Sequence, residues 1–413
     1  MNDDKDFCKH LIIGSGVSGF YALKELLNVD GSSRIILATR DRNYPYDRPD
    51  LSKGFMRGEI LRNSVFFEKE DFYKRDNLKI MFNNGVRKLD SQRKIALLDD
   101  GTAVKFERAL IATGGRPRKL GIKGEEKKGV HYLRTLEDAE LIRKDVENAR
   151  EPVIVGGGFI GLEVASSFVS LGKSPVIIER EQQIWSSFID KDVSKYIKGY
   201  FEHKGVRFVM GDSVEEIEGG ERVESVKTRG GRTTGSDFVL ISAGIALNDE
   251  IAKEAGIKVD NGILVDEYLE SSIPGIFAAG DVANIYDPSA GKRTRVEHWN
   301  MAQYAGKLAA RNMAGRRETF NFLSSVWSDI FDLHIESAGQ LSGYDSYLIR
   351  GEVKTYSFSI IFIKNGIASG FFSINIKKDE LDALTNFVKT RFPISEHASK
   401  FRDTGADLNS LKA

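Results

Sequence analysis

Apolar and polar positions alternate along this chain in a pattern that repeats. HLIIGSGVSGFYALKEL (10–26) opens with a β-branched run, breaks at G-x-G-x-x-G and continues with apolar residues at helical spacing. PVIVGGGFIGLEVASSF (152–168) does the same. Each stretch predicts a strand, a glycine turn and an amphipathic helix. A further β-branched strand follows each helix, RIILA (34–38) and SPVIIE (174–179), ending near Asp41 or at Glu179. RALIATGGRPR (108–118), DFVLISAGIALN (237–248) and GIFAAGDVAN (275–284) read as strands running into glycine turns. After about Phe320 the pattern changes. TYSFSIIFIKNGIASGFFSIN (355–375) predicts two strands joined at Asn365-Gly366, and DELDALTNFVKTRF (379–392) predicts a helix. The expected fold class is α/β, with two doubly wound dinucleotide-binding domains and a C-terminal α+β domain.

Composition narrows the function classes. The chain has 413 residues, enough for two or three domains. Lys plus Arg equals Asp plus Glu at 60 each, which argues against nucleic acid or an anionic membrane as the main partner. The single cysteine, Cys8, cannot form an intrachain disulfide or a CxxC pair. The first nine residues, MNDDKDFCK, are polar and acidic, unlike a signal or transit peptide. No apolar run approaches the roughly 18 residues of a membrane span. A cytoplasmic location is expected. No metal site is expected either: the six histidines are scattered, and none lies at i, i+4 from another.

The glycines carry specific chemistry. Positive φ and the lack of a Cβ let the backbone approach a pyrophosphate, and the following helix aims its free N–H groups at the phosphate. Gly14, Gly16 and Gly19 fit one such site, and Gly156, Gly158 and Gly161 a second. Asp41 and Glu179 follow at close to the ~20-residue offset of a ribose-binding carboxylate. Glu179 favours NADH over NADPH by repelling a 2′-phosphate, while the adjacent Arg180 acts in the opposite sense.

The two glycine turns, the ATG turn at 112–114 and the strand ending AAGD (278–281) resemble the FAD-dependent pyridine-nucleotide oxidoreductases. PYDRPDLSKG (45–54), YLRTLEDAE (132–140), RVEHWNMAQYAG (295–306) and VWSDIFD (326–332) are similar to the branch holding ferredoxin reductases, rubredoxin reductases and apoptosis-inducing factor. The resemblance implies two Rossmann-like FAD/NAD(P)-binding domains. FAD would be held by a discontinuous domain at 1–115 and 247–319, NADH by 116–246, and 320–413 would form the C-terminal domain. Implied FAD contacts are Gly14, Gly16, Gly19, Arg40, Asp41, Arg48, Lys53, Val86, Ala112, Thr113, Gly114, Arg134, Gly280, Asp281, Glu297, His298 and Trp299. The family has an acid at the position of Arg40. Here it is the next residue, so either Asp41 reaches the adenosine ribose or that contact is weakened. Implied nicotinamide-side residues are Gly156, Gly157, Gly158, Phe159, Ile160, Gly161, Glu179, Gly244, Trp327 and Glu336.

Relatives that use a disulfide place a cysteine near residue 52. This chain has Ser52 and then Lys53. The resemblance implies that Lys53 lies beside the flavin and pairs with Glu163, expected in the first turn of the second glycine-turn helix. An ammonium there would stabilise the charge of reduced flavin. Trp299 would pack on the flavin ring, and His298 would act as a hydrogen-bond partner or a proton relay. With no thiol relay, electrons would leave for an outside acceptor. The leading expectation is an FAD-dependent NADH reductase of ferredoxin or rubredoxin. The alternatives are an NADH oxidase reducing O2 to H2O2, and a flavoprotein whose reduction switches its association with a partner protein. A homodimer is compatible with each. KTRFPISEHASKFR (389–402), net positive, is a candidate docking face for an acidic carrier or simply a solvated helix face.

Overall fold

The computed structural model describes residues 7–186 and 189–411, so most of the polar N-terminal stretch expected to be free of a targeting signal lies outside the described residues. The chain forms two compact units. One comprises Met1–Asp47, Arg62–Arg116 and Ile245–Ser324, and the other Arg48–Leu61, Pro117–Gly244 and Ser325–Ala413.

In the first unit the strands Leu78–Met81, Ile35–Ala38, Phe7–Ile13 and Ala103–Ile111 lie side by side in that order, and Ile276–Ala278 also pairs with Ala103–Ile111. All these pairings are parallel. Ile13 stands opposite both Ala38 and Ile111, and Ala278 opposite Ile111, so the strands end on one line. In doubly wound sheets that carboxyl edge is where ligands bind. The helix Val17–Val29 follows the first strand through Gly14, whose φ of 106° suits only glycine. A Cβ at Gly19 would fall 2.0 Å from the Gly14 carbonyl oxygen, so a side chain there would push the helix off the strand. Helix Trp299–Met313 packs on the same helix, and a Cβ at Gly306 would come within 2.3 Å of the Ser18 carbonyl oxygen. One apolar core, from Cys8 to Phe320, joins these layers.

The second unit repeats the plan. Arg207–Met210, Val176–Glu179, Pro152–Val155, Phe238–Ile241 and Val130–His131 form a parallel sheet in that order. Gly156 has φ 105°, and a Cβ at Gly161 would sit 2.1 Å from its carbonyl oxygen. The same unit contains an antiparallel sheet ordered Ser325–Ile330, Leu333–Gly339, Ile367–Ile374, Ser357–Lys364, Ser346–Glu352, with helix Lys378–Thr390 against it. Asn365 and Gly366 both have positive φ, which matches the right-handed twist of the hairpin strands they join.

The structure differs from the sequence reading at three points. Arg48–Leu61, inside the 1–115 stretch, packs in the second unit as a tight turn at Pro49–Ser52 and a short helix at Gly54–Arg57. Glu163 is not in the first turn of its helix: that helix begins at Phe159, and Glu163 opens the second turn. The 389–402 stretch is not one solvated helix face. The helix ends at Thr390, Arg391 has φ 54°, and Phe392, Ile394 and Phe401 are buried.

Arg350, buried in the C-terminal segment, ties down the chain after Phe401. Its Nη1 donates to the carbonyls of Phe401 (3.0 Å) and Asp403, and its Nη2 to those of Thr404 (3.2 Å) and Ala406 (2.9 Å). Its Nε lies 3.4 Å from Glu380. Removing one partner of a buried charged cluster costs about 3–5 kcal/mol. Arg350→Met is therefore expected to lower the unfolding temperature by roughly 6–20 °C, at 2–4 °C per kcal/mol for a unit of this size, as read by scanning calorimetry. A drop of under 2 °C would show that water replaces the guanidinium without loss.

Candidate functional site

Two nucleotide cradles occur, one in each unit. In the first, helix Val17–Val29 starts at Gly16, which has no side chain to cap the first-turn N–H groups. Around this turn the structure gathers several residues singled out from the sequence. The Ala112 carbonyl lies against Gly14, and Gly280, with φ 79°, comes so near the helix start that a Cβ would be 2.4 Å from Ser18 Oγ. Ser15 and Thr39 hydroxyls meet at 2.8 Å. The Thr113 hydroxyl donates to the Asn248 carbonyl at 2.7 Å, which anchors the ATG turn through Gly114. Val86 is buried in the same unit. A glycine cradle under an uncapped helix start fits the pyrophosphate of a dinucleotide such as FAD.

The shifted acid, Asp41, turns back on its own loop: Oδ1 accepts from the Asn43 backbone N–H (2.9 Å) and side-chain amide (3.0 Å), and Oδ2 from Tyr46 (2.9 Å). Arg40 is bound bidentately to Asp99 at 2.9 and 3.1 Å, which holds the Asp99 carboxyl below the usual range. Both side chains are thus engaged within the protein.

His298 precedes helix Trp299–Met313, with Nδ1 3.2 Å from Ser324 Oγ. Burial pushes its imidazole down to about 4, against a smaller opposing pull from Asp281. The neutral ring is therefore the form present near neutral pH. Trp299 is fixed by an Nε1–H bond to Asp47 (2.7 Å) and by an edge contact with Tyr21 (5.7 Å between centroids). Glu297 accepts from Arg295 at 2.7 Å. Arg48, Lys53 and Arg134 stand in the second unit.

In the second unit the helix Phe159–Ser170 begins at Gly158, again without a side-chain cap, and a Cβ at Gly158 would meet open space. Glu179 closes its strand. Its Oε2 accepts from the Gly157 N–H at 2.6 Å, and its Oε1 from Glu181 at 2.9 Å. Arg180 is turned onto Glu181 at 3.2 Å. This cradle fits a dinucleotide such as NAD(H), and Glu179 closes back onto its glycine turn. Beside it, a cavity of about 550 Å³ is lined by Arg180, Met210, Asp212, Arg229 and Arg232 among others. Phe159 stacks on Trp185 at 5.0 Å, and Ile160 is exposed. Gly244 has φ 83° and accepts from the Arg118 N–H.

The second unit also buries an ion pair. Lys53 Nζ lies 2.7 Å from Glu163 Oε1, with the residues 9% and 5% exposed. The Trp327 ring lies 5.4 Å from the same ammonium. The hydroxyls of Ser52 and Ser328 both donate to Glu163 at 2.5 Å. Trp327 stands across from Glu336 in the antiparallel ladder, and Glu336 is bonded to His334 at 3.0 Å. Burial disfavours charge on His334, but its bonds to Asp329 and Glu336 outweigh that and raise its pKa. Sequence reasoning missed Ser52, Ser328, Asp47, Asp99 and His334. Only Ser52, one residue before Lys53, had a local signal. Among the described residues no group of three or more His, Cys, Asp or Glu side chains is placed to hold a metal.

The "pyridine nucleotide-disulphide oxidoreductase" family model matches residues 8–306, and the "reductase C-terminal" model matches residues 325–412. A probable ferredoxin reductase, CtmF, of Castellaniella defragrans is 33% identical over 361 residues, covering 86% of this chain and 88% of the relative. A rubredoxin-NAD(+) reductase of Ectopseudomonas oleovorans is 29% identical over 380 residues, covering 92% and 98%. The crystal structure of the ferredoxin reductase for the CYP199A2 system from Rhodopseudomonas palustris superposes with a TM-score of 0.92 at 29% identity, covering 99% of this chain and 100% of that one. With two glycine cradles in two units and a family model spanning both, the chain belongs to the pyridine nucleotide-disulphide oxidoreductase family and carries the reductase C-terminal domain.

Proposed function

We propose that this protein is an FAD-dependent NADH oxidoreductase that delivers electrons to a small redox protein of the ferredoxin or rubredoxin class. The observation that carries the choice of acceptor is the absence of a thiol relay. Cys8, the one cysteine, is fully buried in the first strand, and burial pushes its thiol up to about 12. A thiol held protonated is neither nucleophile nor electron relay, so electrons must leave this chain for another molecule. When bound, FAD takes a hydride from NADH and can release the two electrons singly, which matches a one-electron carrier.

The chain's own residues then divide the work. Gly14–Gly19 and Gly156–Gly161 hold the two pyrophosphates by backbone N–H groups. Glu179 accepts from the ribose hydroxyls of NADH and opposes a 2′-phosphate, while Arg180, occupied by Glu181, offers that phosphate little. Lys53, paired with Glu163, would supply the cation that stabilises negative charge developing on the reduced ring system. Trp299, held by Asp47, covers the ring, and His298 serves it as a neutral hydrogen-bonding group. Arg48, Val86, Arg134, Asp281 and Glu297 complete the flavin contacts, and Gly244, Trp327 and Glu336 the nicotinamide side. The FAD domain is the discontinuous one at 1–115 and 247–319, with Lys53 and Arg48 carried on a segment that packs in the other unit.

Three outcomes follow. Anaerobic NADH should bleach the yellow protein in a stopped-flow instrument, and rubredoxin or ferredoxin should restore the colour faster than air; faster recovery in air would identify an oxidase instead. Lys53→Met should slow flavin reduction by roughly 10²-fold, the scale of losing one preorganised charge-stabilising group, with bound flavin retained. An unchanged rate would remove Lys53 from the mechanism. His298 has a folded-state pKa below its unfolded value, so the unfolded chain binds its proton first on acidification. Its contribution to stability is complete above about 6.5 and is lost as pH falls toward about 4. An NMR titration of its ring should show a midpoint near 4; a midpoint near the ordinary value would mean that water reaches the ring.

A further inference from the structure

The Glu163 carboxylate receives three donors from two separate stretches of chain. Ser52 ends the tight turn Pro49–Ser52 and donates to Oε2 at 2.5 Å. Ser328 belongs to strand Ser325–Ile330, in the segment matched by the reductase C-terminal model, and donates to Oε1 at 2.5 Å. Lys53 meets the same oxygen at 2.7 Å. Both serines are about 1% exposed, so water does not compete for these bonds. The helix that carries Glu163 also grips both flanking segments: Ser167 Oγ donates to the Ser52 carbonyl at 2.7 Å, and the Phe331 N–H donates to Ser166 Oγ at 2.9 Å.

A buried ion pair by itself gains little, because desolvating both charges offsets their attraction. Hydrogen bonds donated to a carboxylate shift that balance by stabilising its ionised form. Two hydroxyls on opposite oxygens also fix the carboxylate plane, which sets where a flexible lysine can put its ammonium. An ammonium has three N–H donors, and one of them is directed at Glu163. Alanine at 52 and 328 would preserve nearly all the packing volume yet leave the carboxylate with Lys53 alone.

We infer that Ser52 and Ser328 are positioning residues for the Lys53 cation: their hydroxyls fix and orient the Glu163 carboxylate, and Glu163 in turn holds Lys53. The C-terminal domain thus contributes one hydroxyl to the redox site through Ser328. The inference rests on the reading that Lys53 acts on the bound flavin, and the experiment separates the two. The holoprotein is compared with S52A/S328A, K53M and S236A by anaerobic spectroelectrochemistry of the flavin and stopped-flow reduction by NADH. In S52A/S328A the flavin midpoint potential should fall by about 30 mV, the tenfold change in a two-electron equilibrium. Flavin reduction should slow about tenfold while the KM for NADH stays within twofold. Ser236→Ala removes the same atom from another buried serine of the second unit, one that donates to the Glu151 and Phe238 carbonyls, and should move neither quantity. A normal potential in S52A/S328A alongside a lowered one in K53M overturns the positioning role and leaves the reading of Lys53 intact. An equal fall in S236A assigns the effect to packing and also overturns the positioning role. No fall in K53M overturns the reading of Lys53 itself.

Discussion

A carboxylate and an ammonium can share a protein interior only if the remaining lone pairs and protons of each find partners. Glu163 meets that condition through short bonds from Ser52, Lys53 and Ser328, on a turn and a strand far apart in sequence. Through these bonds and the Ser167–Ser52 bond, the turn at Pro49–Ser52 and Lys53 are tied to the second glycine-turn helix. Ser328 faces the helix, and its neighbour Trp327 sets its ring 5.4 Å from the Lys53 ammonium while remaining 39% exposed.

Around that pair the fold is built from one device used twice. In each unit a helix approaches the preceding strand so closely that only hydrogen fits at Gly19 or Gly161. Close approach brings the helix start to the carboxyl edge of a parallel sheet, where uncapped N–H groups and a positive dipole end converge. The chemistry that distinguishes the two cradles comes from the strand that follows. Glu179 reaches back to the glycine turn, whereas Asp41 folds onto Asn43 and Tyr46.

Much of this was legible in the sequence because its causes are local. A G-x-G-x-x-G after a β-branched run has few structural alternatives, and Asn365-Gly366 between alternating strands has fewer. The Lys53–Glu163 pairing came from resemblance and coincides with the geometry. Short polar side chains gave no such signal. Ser52 and Ser328 are serines among many, and only the topology brings them to one carboxylate. The placement of Glu163 a turn deeper than expected follows from where the glycine turn hands over to helix, at Phe159, a boundary that periodicity does not resolve. Asp41 was read as a ribose candidate from spacing and Arg40 entered through the resemblance, but neither route reveals that Tyr46 and Asn43 bind Asp41 and that Asp99 binds Arg40.

The two phosphate cradles are made almost wholly of main-chain atoms. Exchange of side chains around them leaves the grip on the pyrophosphate untouched, because no side chain supplies it. Under the proposed function, recognition of the rest of each nucleotide resides in a handful of separate positions such as Glu179 and Trp299. A lineage carrying this scaffold can therefore drift between dinucleotides by few substitutions and without passing through a form that binds none. Loss of a single glycine hydrogen, by contrast, closes a cradle at one step.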